Sequence, residues 1–209
     1  MEDYKTVLQS ADAEMIEKKS RFIGYCRPVK TQDEAIDFIN EIRAMHRQAT
    51  HNVYAYVVRD NNIMRYSDDG EPAGTAGVPV LEVIKKEGLT DIAVVVTRYF
   101  GGVLLGAGGL VRAYGKSAKL GIDAAIRIEK LYCNLYLVRC DYSTYGKLEY
   151  LINTEGYILK DCAFENDVCL TVGVKPEDRD SFIKSVADLS GGSAKIDELP
   201  GEYITKEIK

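Results

Sequence analysis

Residues 91–119 read DIAVVVTRYFGGVLLGAGGLVRAYGKSAK. The first ten of them contain a continuous apolar run, which is typical of a central strand that is buried on both faces. Six of the 23 residues 97–119 are glycine, whereas glycine usually makes up about 7% of a chain. The glycine-rich loop leads into a helix that we predict from Leu110 to about Ile126. Strand, loop and helix together predict an α/β arrangement around one buried strand.

The same segment carries cations and lacks carboxylates. No Asp or Glu lies between Asp91 and Asp123. Within that interval, Arg112, Lys116 and Lys119 follow one another at spacings of four and three residues, so they share one face of the predicted helix. On this assignment Arg112 lies in the first turn of the helix. The segment therefore presents a local basic face next to a glycine-rich loop.

Two interpretations of the loop and helix remain open. Arg98 ends the strand, and the loop that starts at Gly101 and Gly102 could offer backbone N–H groups to a phosphate, because free N–H donors at a helix start attract anions. The other interpretation is a solvated helix face beside a tight structural turn. If a phosphate binds there, Arg98→Ala and Arg112→Ala should each weaken binding without unfolding the chain. The loop matches neither a Walker motif nor a dinucleotide fingerprint.

The turn SDDGEPAGTAG, residues 67–77, is the second candidate site. Asp68, Asp69 and Glu71 could bind a metal or act as acid–base groups, but carboxylates in such turns more often hydrogen-bond the turn itself. His51 precedes a strand and could contact phosphate or serve the structure alone. A nucleophile elbow and a His-Glu-x-x-His motif are both missing. We therefore predict no catalytic residue, no metal site, no cofactor and no peptidase activity.

The remainder of the first half supplies more strands and a helix. Residues 14–30 predict two strands or one bent strand. Thr31 is a predicted N-cap, and the helix that follows should end near Met45. Residues 52–59 predict a strand, with a hairpin partner at residues 63–66.

The second half has the predicted element order β-α-β-β-α-β, which is the ferredoxin-like pattern. Its first strand starts at Leu131, and Pro176 opens its second helix, where a first-turn proline is tolerated. The last strand is expected at residues 194–199. We therefore predict an α+β fold with two domains: an N-terminal α/β domain, residues 1–130, and a ferredoxin-like C-terminal domain, residues 131–209.

Charge excludes a protein that coats nucleic acid with a broad basic surface. Residues 1–128 contain 17 Lys/Arg and 17 Asp/Glu, whereas residues 129–209 contain 10 and 15, which accounts for the net charge of −5. A domain that binds nucleic acid mainly through phosphates usually has a clear basic excess. Only a local basic patch in the first half could therefore contact phosphates.

The cysteines and the apolar stretches indicate the compartment. The five cysteines are odd in number, and none forms a Cys-x-x-Cys pair. We interpret them as reduced structural thiols, because disulfides are rare in the cytosol. No signal peptide is visible at the start, and no apolar stretch reaches the ~20 residues of a membrane span. We expect a cytoplasmic protein without membrane contact.

Four stretches resemble the IMPACT family, whose bacterial branch is called YigZ. They are KKSRFIGYCRPV (18–29), ATHNVYAYVV (49–58), SDDGEPAGTAGVPVLEVI (67–84) and VVVTRYFGGVLLGAGGLVRAYGKSA (94–118). Tyr54 stands where members of the family often have tryptophan. The second half is similar to the smaller C-terminal domain of bacterial members.

The resemblance carries implications for fold and function. It implies an N-terminal domain similar to the second domain of a small-subunit ribosomal protein. It also implies a C-terminal domain similar to a ferredoxin-like domain of elongation factor G. Eukaryotic members influence translational control by competing for the activator of a stress kinase, with help from an additional N-terminal domain. Because the family motif begins near residue 18 here, that role is not carried over. No accepted enzymatic activity comes with the resemblance.

We therefore expect a non-catalytic binding protein linked to translation regulation. The partner would be RNA, the ribosome, a phosphorylated ligand or a translation-related protein, bound in the cleft of the N-terminal domain. The predicted binding residues are His51, Asp68, Asp69, Glu71, Arg98, Gly101, Gly102, Arg112 and Lys116. One alternative is a small-molecule enzyme that acts on a phosphorylated or nucleotide ligand, with Asp68 or Asp69 as base and His51 as acid. The other is a protein–protein adaptor.

Overall fold

The computed structural model describes residues 2–208. The chain divides into two compact units, one formed by residues 4–129 with 207–208 and the other by residues 130–206 with 2–3. Helices and strands are mixed in both units, so the predicted fold class of mixed helices and strands in two domains is confirmed. The sequence did not predict that each chain end belongs to the unit formed mainly by the other half.

The first unit is built on a five-stranded antiparallel sheet. Its elements are β1 (Tyr4–Val7), β2 (Ala11–Glu17), β3 (Ser20–Pro28), α1 (Gln32–Met45), β4 (His51–Val58), β5 (Ile63–Ser67), α2 (Gly77–Lys86), β6 (Ile92–Tyr99) and α3 (Ala107–Ala124). The sheet has the order β2-β3-β6-β4-β5. Strand β6 is central and residues 92–98 are all buried, so the strand predicted from the apolar run is confirmed.

The helices cover the two faces of this sheet. The apolar side chains of α2 and α3 pack against one face. Phe38, Ile39 and Ile42 of α1 pack against the other. The strand residues alternate accordingly, with Val94 and Val96 on the first face and Ala93 and Val95 on the second. Because β6 meets helices on both faces, it needs the continuous apolar run that the sequence shows.

Helix boundaries follow the capping residues. The Thr31 hydroxyl accepts a hydrogen bond from the Glu34 backbone N–H at 3.1 Å, so the predicted N-cap of α1 is confirmed. The predicted start of α3 at Leu110 is wrong. The Leu110 N–H already bonds the Gly106 carbonyl, and Gly106, with φ 71°, is the N-cap. Glycine suits this N-cap because it adopts a positive φ without strain.

The second unit has the element order β-α-β-β-α-β, as predicted. Its elements are β7 (Arg127–Cys140), α4 (Tyr142–Glu155), β8 (Ile158–Phe164), β9 (Val168–Val174), α5 (Arg179–Ser190) and β10 (Lys195–Glu207). Strands β7, β9 and β8 are consecutive neighbours in its sheet, and β10 also pairs with β7. Leu148 and Ile152 of α4 and Phe182 and Val186 of α5 fill the core.

Two details of the second unit concern where its elements begin and end. The N-cap of α4 is Asp141, whose carboxylate accepts from the Thr144 N–H. The last strand continues to Glu207, past the predicted end. All five cysteine thiols are free. Among residues 2–208, none of the helices has the length and apolar character needed to cross a membrane.

Candidate functional site

One end of the first sheet gathers most of the residues that the sequence singled out. His51 at the start of β4 stands opposite Arg98 near the end of β6. Ser67, the last residue of β5, pairs with Tyr54. The acidic turn after β5 and the glycine-rich loop after β6 therefore leave the sheet at the same end, because neighbouring strands are antiparallel.

A buried carboxylate organises this end of the sheet. Glu71 Oε1 accepts a hydrogen bond from Arg98 Nη1 at 2.5 Å and another from the Tyr114 hydroxyl at 2.8 Å. The Nε2 atom of His51 lies 3.7 Å from the same oxygen. The side chains of Glu71 and Arg98 are only 4% and 5% exposed. Burial, followed by the nearby Glu71 charge, raises the pKa of Tyr114, so its hydroxyl remains a donor.

Arg98 is used inside the protein rather than at its surface. Besides the Glu71 bond, its Nη2 donates to the Ser20 hydroxyl at 3.3 Å, and its Nε has no partner among the described residues. From the sequence alone, Arg98→Ala is expected to leave the fold intact. The buried ion pair reverses that expectation, because removing one member leaves the other charge buried and unpaired.

The backbone determines the orientation of the His51 ring. Its Nδ1 lies 2.7 Å from the carbonyl oxygen of Asp69. A carbonyl can only accept, so Nδ1 carries the proton, and in the neutral ring Nε2 is left as an acceptor. The ring thus presents an acceptor nitrogen beside Glu71.

The two aspartates of the acidic turn bind the protein's own backbone. The Asp68 carboxylate accepts from the N–H groups of Gly74, Ala76 and Gly77, and the last two begin α2. Burial alone would raise the pKa of Asp68, but these three bonds outweigh it, and the pKa lies below its ordinary value. The Asp69 carboxylate likewise accepts from the Asn52 N–H at 2.7 Å.

Asp69 also bonds Arg43 Nη2 at 2.9 Å. Both aspartates are therefore occupied in shaping the turn, as the structural interpretation expected. Of the three acidic candidates, Glu71 is the one that lines a cavity together with His51 and Arg98.

The glycine-rich loop approaches the β2–β3 turn very closely. A Cβ on Gly101 would overlap the backbone of Lys19, and the Gly101 N–H donates to the Ser20 hydroxyl at 3.2 Å. Gly102 has a φ of 82°, a backbone conformation that residues other than glycine rarely adopt. Both glycines are therefore required by the backbone conformation of the loop.

No side chain in the described part of the chain caps the N-terminus of α3. Among residues 2–208, the N–H groups of Ala107, Gly108 and Gly109 therefore have no intrahelical or side-chain partner. Arg112 is the sixth residue of this helix, so its predicted position in the first turn is wrong. Its Nη1 nevertheless lies 3.9 Å from the point where a Gly108 Cβ would stand, so the guanidinium folds back towards the helix start. Lys116 is exposed one turn further on.

A cavity of about 410 Å³ opens between these elements. It is lined by Thr50, His51, Glu71, Pro72, Arg98, Phe100, Leu104, Leu105, Gly106, Ala107 and Leu110. Three of the nine predicted site residues, His51, Glu71 and Arg98, therefore meet at one cavity. No cluster of three His, Cys, Asp or Glu side chains suited to a metal occurs in the part of the chain that the structure describes.

Two polar partners of the cluster formed by His51, Glu71 and Arg98 were not predicted from the sequence. Tyr114 lies on the buried face of α3, and its hydroxyl bonds Glu71. Ser20 receives bonds from both Arg98 and Gly101. The sequence did contain a signal for Tyr114, because a tyrosine among small residues on the buried face of a helix usually has a hydrogen-bond partner for its hydroxyl.

Comparisons with known proteins identify the family. Residues 18–122 match the Impact N-terminal domain, and residues 138–193 match a domain of unknown function, DUF1949. IMPACT family member YvyE of Bacillus subtilis is 39% identical over 209 residues, which cover 100% of this chain and 96% of that protein. The chain belongs to the IMPACT family. All nine predicted site residues lie within the Impact N-terminal match.

Other IMPACT family members differ in how much of the chain they match. IMPACT family member YigZ of Escherichia coli is 35% identical over 183 residues, 86% of this chain and 89% of that protein. Protein IMPACT of Xenopus laevis is 33% identical over 96 residues, only 43% of this chain and 30% of that protein. A crystal structure described as that of a hypothetical protein has a TM-score of 0.60 at 32% identity and covers 96% of this chain and 98% of its own.

Proposed function

We propose that this IMPACT family protein is a non-catalytic, cytoplasmic RNA-binding protein that acts in translation, with the cavity end of the first sheet as its binding site. The observation that carries this proposal is the uncapped N-terminus of α3. Its free N–H groups border the cavity, and the guanidinium of Arg112 lies beside them. Helix N–H groups and a cation in this arrangement suit a phosphate group.

The charge distribution around the site supports an anionic ligand. Within residues 2–208, Lys18, Lys19, Arg112 and Lys116 form no ion pair. The three carboxylates of the acidic turn are in contrast held by hydrogen bonds to the protein itself. These cations are thus available to an anionic ligand, whereas the three carboxylates of the acidic turn already have partners within the protein.

The geometry does not support the alternative function as an enzyme, because neither Asp68 nor Asp69 is suited to act as a general base. It requires Asp68 or Asp69 to accept a proton from a substrate. Three backbone N–H groups bond the Asp68 carboxylate and lower its pKa, and Asp69 is bonded by Arg43 and Asn52. A carboxylate with a lowered pKa is a weak base. A binding role therefore agrees better with the site than acid–base catalysis does.

A salt titration tests the proposal. The full chain is titrated with a labelled, unstructured single-stranded RNA at several salt concentrations, with ribosomes and a nucleotide panel in parallel. Each phosphate contact contributes about 0.7 to the slope of log K against log salt for single strands. Arg112→Gln and Lys116→Gln should each reduce this slope by about that amount.

Lys86→Gln is the matched control, because Lys86 is exposed in the last turn of α2, at the other end of the sheet. Its slope should equal that of the parent. Equal slopes for all three variants and the parent would refute phosphate binding at this site. Stabilisation by nucleotides without RNA binding would instead favour the enzyme, and binding of neither would favour the adaptor.

A further inference from the structure

The walls of the cavity are more apolar than a phosphate requires. Pro72, Leu104, Leu105 and Leu110 line it together with the ring of Phe100. Leu104 is 82% exposed and Phe100 is 47% exposed, so apolar surface at the mouth stays in water. Phosphate is a hydrated anion that gains nothing from such walls. The N–H groups at the start of α3 and the nearby Arg112 therefore account for a phosphate, but they do not explain the apolar walls of the cavity.

The polar end of the cavity offers acceptors. His51 Nε2 is an acceptor in the neutral ring, because Nδ1–H is committed to the Asp69 carbonyl. Glu71 Oε1 is already bonded, whereas Oε2 has no hydrogen-bond partner among residues 2–208. A ligand that fits this end must bring N–H donors, and its body must be flat or compact and apolar enough for the remaining walls.

We infer, on the basis of the proposed RNA binding, that the cavity takes a single unpaired nucleobase that carries an amino group: adenine, cytosine or guanine in preference to uracil. The base would lie against Phe100 and Leu104, with its amino group towards His51 and Glu71. Its phosphate would lie at the N-terminus of α3, which borders the same cavity. Single-stranded RNA is generally recognised in this way, by stacking on aromatic side chains and by hydrogen bonds to the base edge. Uracil, like thymine, carries a carbonyl group where adenine and cytosine carry an amino group, and it lacks the amino group that guanine carries at N2.

An abasic RNA distinguishes the contribution of the base to binding from the contribution of the phosphates. The full chain is titrated with oligoadenylate, oligocytidylate and oligouridylate of one length, and with an abasic ribose-phosphate strand of that length. A stacked base contributes enough that the abasic strand should bind about tenfold more weakly than oligoadenylate, with a similar salt slope. Oligouridylate should fall between the two.

A variant that fills the cavity mouth tests the location. Ala107 lines the cavity and is exposed, so Ala107→Leu should narrow the mouth without disturbing the core. It should reduce binding of oligoadenylate to the level of the abasic strand, so that the preference for oligoadenylate is lost. The matched control is Ala44→Leu, at an exposed position in α1, which should keep the preference at about the parental tenfold.

The outcomes separate this inference from the proposed function. Equal, salt-dependent binding of the abasic strand and oligoadenylate overturns the base site but leaves RNA binding in place. If no strand binds, the proposed function fails. Thermal shifts with uncharged nucleosides then test whether the cavity binds a base. Stabilisation by adenosine that Ala107→Leu removes supports a base site without RNA, whereas no shift with any nucleoside overturns it.

Discussion

Glu71 and Arg98 form a buried ion pair that joins the acidic turn to the central strand, with Arg98 Nη1 and Glu71 Oε1 2.5 Å apart. The same carboxylate oxygen accepts from Tyr114 on α3. One carboxylate thus connects the turn after β5, the end of β6 and the helix that borders the cavity.

We expect Glu71→Gln to destabilise the protein by about 3–5 kcal/mol, because it leaves the Arg98 charge buried and unpaired. Urea unfolding of the purified variant measures the effect. Glu82→Gln is the control, since Glu82 pairs with Lys85 on the surface, with side chains 58% and 47% exposed. That change should cost less than about 1 kcal/mol. Equal stabilities of the two variants would show that the buried pair contributes nothing.

We expect Asp68→Asn to weaken the start of α2 by about 1 kcal/mol at neutral pH, the usual cost of losing a capping side chain. The effect should depend on pH. Because the pKa of Asp68 is lower in the folded protein, its carboxylate stabilises the fold above the unfolded pKa of about 3.9, and this contribution is lost as pH falls through the folded pKa.

Chemical denaturation from pH 7 down to pH 2 measures this dependence. The stability difference between the parent and Asp68→Asn should be largest near neutral pH and should shrink in acid. Asp37→Asn, at an exposed position in α1, provides the same change of charge without a capping role. A pH-independent difference for Asp68→Asn would argue that shape rather than charge holds the turn.

We expect Gly24→Ala to destabilise the first unit by about 1–3 kcal/mol, the usual cost of overpacking. A Cβ at Gly24 would overlap the backbone carbonyl of Ser117, and one at Gly121 would stand 2.5 Å from the Gly24 oxygen. Gly115→Ala is the control in α3. Its Cβ would have only Val83 nearby, at 3.9 Å, so it should stabilise the helix by about 0.5–1 kcal/mol. Thermal unfolding of both variants should therefore give shifts of opposite sign.

We expect residues 131–209 to fold without the first half of the chain. The β-α-β-β-α-β elements of this region bury their own core, to which α4 and α5 both contribute. The amide NMR spectrum of the fragment should be dispersed. Because β7 begins at Arg127, a second fragment, residues 127–209, controls for loss of the strand's first residues. Undispersed spectra from both fragments would contradict the predicted domain.

Local sequence patterns were sufficient to predict the main helices and strands and to recognise the family. The apolar run of β6 predicted its central position, because only a strand covered on both faces can bury every residue. Thr31 predicted the start of α1, since capping depends on residues a few positions apart. The four family stretches likewise lie within short segments, and the match to residues 18–122 bears them out.

Tertiary structure alone decided how the candidate residues are used. Sequence spacing placed Asp68, Asp69 and Glu71 together as one acidic group. Their partners lie elsewhere in the chain or across the turn, and these partners separate two aspartates that hold backbone N–H groups from a glutamate that is paired with Arg98 at the cavity. Local pattern cannot predict this, because a side chain's charge state and role depend on the partners that folding brings within hydrogen-bond distance.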